Sequence, residues 1–131
     1  MSNTISKDEL PTSFGAFNPI GHLMLGLPAG ENGLAAALHE AGWDDDAVLH
    51  FTPRESADEF AAMAENASGA AGFGAEIELT RRYLALAREG YQWLLVKVDS
   101  VEEAAQAAEI ARAHGATLAV HYRLLVTEEL I

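Results

Sequence analysis

An α+β domain, helices packed on an antiparallel sheet, is predicted by two observations. Apolar runs of period two alternate with helical segments in the order strand, helix, strand, helical pair, strand, helix, strand. The first and last strand-helix-strand stretches also resemble one another. Each helix ends at a glycine, Gly42 or Gly115, and the next strand carries a histidine followed by an aromatic residue, His50-Phe51 or His121-Tyr122. A chain of 131 residues, half of them hydrophobic, can build one core but not two.

Met1 to about Asn18 mixes Ser, Thr, Asn, Pro and charges, so residues 1–18 read as a flexible arm ahead of one domain over 19–131. Phe14 and Phe17 are the exceptions, two aromatics able to dock on the domain or on a partner subunit. Ile20 to Leu27 reads as a strand, and Glu31 to Ala41 as a helix with Leu34, Ala37, Leu38 and Ala41 on one face. Gly42 stands where a helix end favours a residue that tolerates positive φ. After a short strand over Ala47 to Phe51, Thr52-Pro53-Arg54-Glu55 supplies an N-cap, a proline at the first helical position and a capping-box glutamate. The helix through Phe60 and Met63 breaks near Ser68 to Gly74, and a second runs from Glu76 to Glu89. Tyr91 to Val98 is a strand. Ser100 to Glu103 is another capping box, opening an alanine-rich helix with Arg112 and His114 in its last turn. A last strand covers Thr117 to about Val126, and Thr127 to Ile131 is left as tail or strand continuation.

This order fits a ferredoxin-like two-layer sandwich: two β-α-β units in one four-stranded antiparallel sheet, with a helical pair inserted between them. A three-layer parallel sheet is the rival arrangement.

Charge narrows the partners. Twenty acidic residues against eight Lys and Arg give a formal charge of -12, which repels phosphate backbones and anionic lipid. Neither nucleic acid nor membrane is expected as a partner. The chain has no cysteine, so disulfides and thiolate metal sites are excluded. The first twenty residues lack the pattern of a secretory signal, and a cytoplasmic location is expected.

Alternation sorts the strand residues into two sets. Leu23, Leu25, Leu27, Leu49, Phe51, Leu94, Val96, Val98, Leu118, Val120, Tyr122 and Leu124 form a core face for the helices. The complementary set holds the candidate ligand-binding or interface residues: His22, Met24, His50, Tyr91, Trp93, Lys97, His121 and Arg123. With both crossover helices on one side of the sheet, this second face has no helix of its own. An apolar patch around Trp93, Tyr91 and Met24 should not stand bare. A homodimer through it is expected, with the inserted helical pair or the N-terminal arm as the other possible cover.

Three histidines on one face suggest a metal, but in this strand order His50 lies about 10 Å from His22, too far for a shared zinc, so no metal or other cofactor is expected. As acid-base groups in a cleft between subunits, the same histidines define the enzymatic alternative. No nucleophile-base pair is visible, so catalysis is the less favoured reading. Ser68 to Ala75 lacks the lysine and preceding strand of a phosphate loop and reads as a bend between helices. Asp44-Asp45-Asp46 reads as a solvated turn. Tyr91 and Trp93 match the aromatic platform of some RNA binders, without the positive charge that mechanism needs.

The order strand, helix, Gly42-Trp43, strand, the glycine-containing segment Gly69 to Gly74, and Gly90-Tyr91-Gln92-Trp93-Leu94-Leu95-Val96-Lys97-Val98 resembles bacterial general stress, or heat-induced stress, proteins of uncharacterised biochemistry. The likeness spans roughly Ile20 to Val126 and implies a bacterial cytoplasmic protein linked to stress; it transfers no functional residue. The expected function is a homodimeric binding or regulatory module with a small-molecule ligand on the open sheet face.

Overall fold

The computed structural model describes residues 12–13, 16–17, 19–28, 33–67, 75–123 and 126–131. Strands β1 (Thr12–Ser13) and β2 (Ala16–Phe17) pair with each other. Then come β3 (His22–Pro28), α1 (Leu34–Glu40), a 3-10 turn at Asp45–Ala47, β4 (Val48–Phe51), α2 (Pro53–Ala67), α3 (Ala75–Arg88), β5 (Tyr91–Lys97), α4 (Val101–Ala113), β6 (Leu118–Arg123) and β7 (Val126–Glu129). The fold is α+β.

Local signals in the sequence account for the helix starts. The Thr52 hydroxyl accepts from the Glu55 N–H at 3.2 Å while the Glu55 carboxylate accepts from the Thr52 N–H at 3.0 Å, a reciprocal capping box. At α4 the Ser100 hydroxyl accepts from the Glu103 N–H at 3.1 Å, and the Glu103 carboxylate reaches back to the Asp99 N–H. At the end of α1, Gly42 has a φ of 115°. That turn lets the Trp43 indole donate to the Lys97 carbonyl at 2.9 Å and pins α1 to β5.

The main sheet has five strands in the order β4-β5-β3-β6-β7, every neighbouring pair antiparallel. The fifth corrects the expected four. From Val126 the chain neither trails away nor continues β6. Val126–Glu129 returns along it, with His121 opposite Glu128 and Val120 opposite Glu129.

Helices cover both faces. On one side Leu34 and Leu38 of α1 and Ala104, Ala107, Ala108 and Ala111 of α4 pack on Leu23, Leu25, Leu27, Leu94 and Val96. On the other, Phe60 of α2 and Leu79, Tyr83 and Ala87 of α3 pack on Met24, Trp93, Leu95, Leu118, Val120 and Tyr122. The arrangement is therefore three layers, helix-sheet-helix, on an antiparallel sheet. Two expectations fall here. The sandwich is not two-layered, and the face carrying Trp93 is not open: Trp93 and Met24 are fully buried, and the only large hydrophobic residues exposed among those described are Ile20 and Val101. The inserted helical pair supplies the cover, its apolar side chains packing on Met24, Trp93 and Leu95.

The expected division of strand residues holds for β3 and β5 and fails for β4 and β6. Directly opposed residues of an antiparallel pair share a face. His22 faces Tyr122 and Leu23 faces His121, so Leu118, Val120 and Tyr122 lie on the α2–α3 side, and His121 lies on the side of α1 and α4. Likewise Phe51 is opposite Trp93 and His50 opposite Leu94. A strand buried on both faces offers no polar set to fix its phase. Along β6 the bulky Leu118, Val120 and Tyr122 join the cluster under α2 and α3, and small Ala119 joins the one with alanine-rich α4.

The expected arm over residues 1–18 contains the β1–β2 pair, and β2 contacts both α2 and α3. Phe14, the glycine-rich bend at Ser68 to Gly74, and Leu124 lie outside the described residues.

Candidate functional site

The joint between the helical pair and the sheet collects most of the chain's aromatic chemistry. Trp93 projects from β5 at the centre, with ring centroids 4.9 Å from Tyr83, 5.8 Å from Phe60 in an edge-on arrangement, and 6.0 Å from Tyr91. Gly26 on β3 is directly opposite. Next to this group the Tyr83 and Tyr122 hydroxyls share a hydrogen bond of 2.6 Å, tying α3 to β6. Burial pushes the Tyr83 phenol well above its ordinary pKa, partly opposed by the Tyr122 hydrogen bond.

Two ring nitrogens in this joint, Trp93 Nε1 and His22 Nε2, are buried without a hydrogen-bond partner among the described residues. They play opposite roles. The indole can only donate. His22 Nδ1 donates to the Ile20 carbonyl at 3.3 Å, which leaves Nε2 as a lone-pair acceptor. Burial lowers the His22 pKa below 6.5; the Ile20 carbonyl opposes this, and nearby Lys97 adds to the lowering. The imidazole is therefore neutral at neutral pH. His22 lies four positions along β3 from Gly26, about 13 Å at strand spacing, so acceptor and donor mark opposite ends of the joint.

The rim is ionic. Arg82 of α3 meets Glu129 of β7 at 3.0 Å, and Lys97 meets Asp99 at 3.0 Å. Tyr91 closes the far end through a 2.9 Å hydrogen bond between its hydroxyl and that of Thr117.

Of the eight residues singled out in the sequence, His22, Met24, Tyr91, Trp93 and Lys97 share the α2–α3 side of the sheet, whereas His50, His121 and Arg123 lie on the other side. The expected trio of histidines on one face is thus divided. His50 is exposed and donates through Nε2 to the Gln92 side chain at 2.8 Å. His121 is buried opposite Glu128, its Nδ1 without a partner among the described residues. Burial lowers the His121 pKa, Arg123 lowers it further, and Glu128 opposes both. Arg123 approaches Glu128 at 3.7 Å, an ion pair too long for a hydrogen bond. No group of three or more His, Asp or Glu side chains with metal-binding geometry occurs among the described residues. No helix among them is long and apolar enough to cross a membrane.

Phe60, Tyr83 and Tyr122 were legible only as core. Their part in the joint depends on α2 and α3 folding over the sheet, which no spacing within a single element encodes. No protein-family model, curated protein or solved structure matches the chain.

Proposed function

We propose that the protein is a non-catalytic binding module on an elaborated ferredoxin-like sheet, and that the joint between the helical pair and the sheet takes up a small, uncharged, planar molecule. The observation that carries this reading is the pair of buried, unpartnered ring nitrogens, Trp93 Nε1 and His22 Nε2. A buried polar atom left without a partner costs about 1–3 kcal/mol, and a ligand offering an acceptor to one or a donor to the other recovers that cost. Aromatic rings around Trp93 suit a planar molecule. The charged side chains at the rim are already paired, so an ionised ligand has little to gain there.

The strand order, with β3 between β5 and β6 and β4 outside β5, supports the ferredoxin-like assignment. The likeness to bacterial stress proteins supports a cytoplasmic, stress-linked setting. Dimerisation through the Trp93 face is not part of the proposal, because α2 and α3 occupy that face. Nor is a histidine cleft, because His22 and His121 lie on opposite sides of the sheet.

The test is a titration of nitrogen-15-labelled protein with 2-naphthol, which carries a fused ring and a hydroxyl that both donates and accepts. Of the two indole N–H signals, that of Trp43 serves as the internal control, since it already donates to the Lys97 carbonyl. A saturable shift of the Trp93 signal, absent in Trp93→Phe, is expected. An unmoved Trp93 signal together with ordered water on both nitrogens in a crystal structure would sink the proposal.

A further inference from the structure

The geometry points to His22 as a proton-operated release for the helical pair: placing a proton on Nε2 loosens α2 and α3 from the sheet and opens the joint. This inference rests on the joint being the binding site and adds how access to it is controlled.

His22 lies at the end of β3, 4% exposed, between Lys97 opposite it on β5 and Tyr122 opposite it on β6. Its Nδ1 proton is committed to the Ile20 carbonyl, so an added proton goes to Nε2, which has no acceptor within reach among the described residues. The resulting imidazolium would share its face of the sheet with the Lys97 ammonium.

In the closed state the Ile20 and Pro19 carbonyls are the groups that favour the charged ring, and burial outweighs them. From β6 comes the Tyr122 hydroxyl, bonded to Tyr83 of α3. The other charged side chains that α3 contributes among those described, Glu78, Arg81, Arg82 and Arg88, are exposed, and Arg82 is engaged by Glu129 of β7. On α2, Arg54, Glu55, Asp58 and Glu59 are exposed as well. Asp99, the carboxylate held by Lys97, is itself solvent-exposed. No buried carboxylate among the described residues is placed to neutralise the new charge. Water does so once the helices part, and protonation therefore favours the open form.

The sign follows from linkage. The closed form binds this proton less readily than the open one, whose imidazole titrates near its ordinary value of 6.5. The closed form thus keeps its full advantage above that value and loses it as the pH falls below it. For one proton, the open-to-closed ratio rises by at most about tenfold per pH unit, until the depressed closed-state value is passed. His121, buried on the α1–α4 side of the sheet, shifts in the same direction and makes a natural control.

The experiment is hydrogen exchange of the full chain between pH 7.5 and 5, corrected for intrinsic exchange rates and resolved by element, with neutral Nile red emission read in parallel. Protection should fall across Phe60 and Leu79–Ala87 ahead of Ala104–Ala111, and dye emission should rise over the same range. In His22→Asn, whose amide can still donate to the Ile20 carbonyl, the α2–α3 loss should vanish while any effect of His121 remains. Lys97→Gln should make the response shallower. Should His22→Asn alter the fold, that second variant carries the test alone. Equal loss across both helical layers, or an unchanged acid response in both variants, overturns the inference. Acid release of α2 and α3 without any 2-naphthol binding at either pH would instead leave the release intact and reject the binding site it was argued to serve.

Discussion

The indole of Trp93 fills the space that a side chain on Gly26 would need. A Cβ built on Gly26 would sit 2.5 Å from Trp93 Cζ3 and 3.0 Å from two further ring atoms. Since Trp93 is fully buried against Tyr83 and Phe60, its ring can retreat only by displacing them. The glycine is thus the sequence's provision for a large ring on the neighbouring strand.

Gly26→Ala should therefore destabilise the protein by about 1–3 kcal/mol through overpacking. Urea unfolding measures this. The double variant Gly26→Ala/Trp93→Phe should lose less than the two single losses added together, because the smaller ring clears the methyl group. Strict additivity would mean that the two residues do not meet.

Trp93→Glu separates an internal core from an intermolecular one. Burying a carboxylate among Phe60, Tyr83 and Leu95 should cost more than the roughly 3–5 kcal/mol of simple truncation, with the mass in solution unchanged. Light scattering paired with thermal melting reads both. A variant of normal stability and halved mass would restore the dimer through an open sheet face.

Tyr83 and Tyr122 join α3 to β6 through their hydroxyls. Each Tyr→Phe change should destabilise by about 1–3 kcal/mol, and the pair should show a coupling of about 0.5–1.5 kcal/mol in a double-mutant cycle. Zero coupling would place the hydroxyls apart in solution.

Acid should weaken the fold through both buried histidines. Both pKa values are depressed in the folded chain, so the stabilising effect is complete above about 6.5 and declines as the pH drops through the folded values, with a slope of up to about 1.4 kcal/mol per pH unit for each proton. Urea midpoints measured at pH 7.5, 6.5 and 5.5 for the native chain and for His121→Asn should show the variant losing part of that slope, and His22 accounts for the rest. A flat profile in the native chain would contradict the burial of both rings.

Much of this fold was legible because it is written locally. The capping boxes at Thr52 and Ser100 and the turn at Gly42 are short-range signals, and each is present in three dimensions. β3 and β5 could be sorted into faces because Gly26 and Lys97 mark one phase of each strand. β6 could not. Leu118, Val120 and Tyr122 alternate with Ala119 and His121, all five buried, so hydropathy alone is blind to which set meets which helices. The same blindness divided the candidate site, keeping His22 with Trp93 while carrying His121 and Arg123 to the opposite layer. The return strand β7 was hidden because its acidic residues find their partners across the sheet and on α3, with Glu129 meeting Arg82.

Everything proposed for the joint requires that one chain's own helices cover Trp93. Isotope-filtered NMR on an equimolar mixture of labelled and unlabelled protein tests this directly, through cross-relaxation between the Trp93 indole and the rings of Phe60 and Tyr83. The expected result is strong contacts within the labelled chain and none between labelled and unlabelled chains. Contacts only between chains, or none at all, would contradict it.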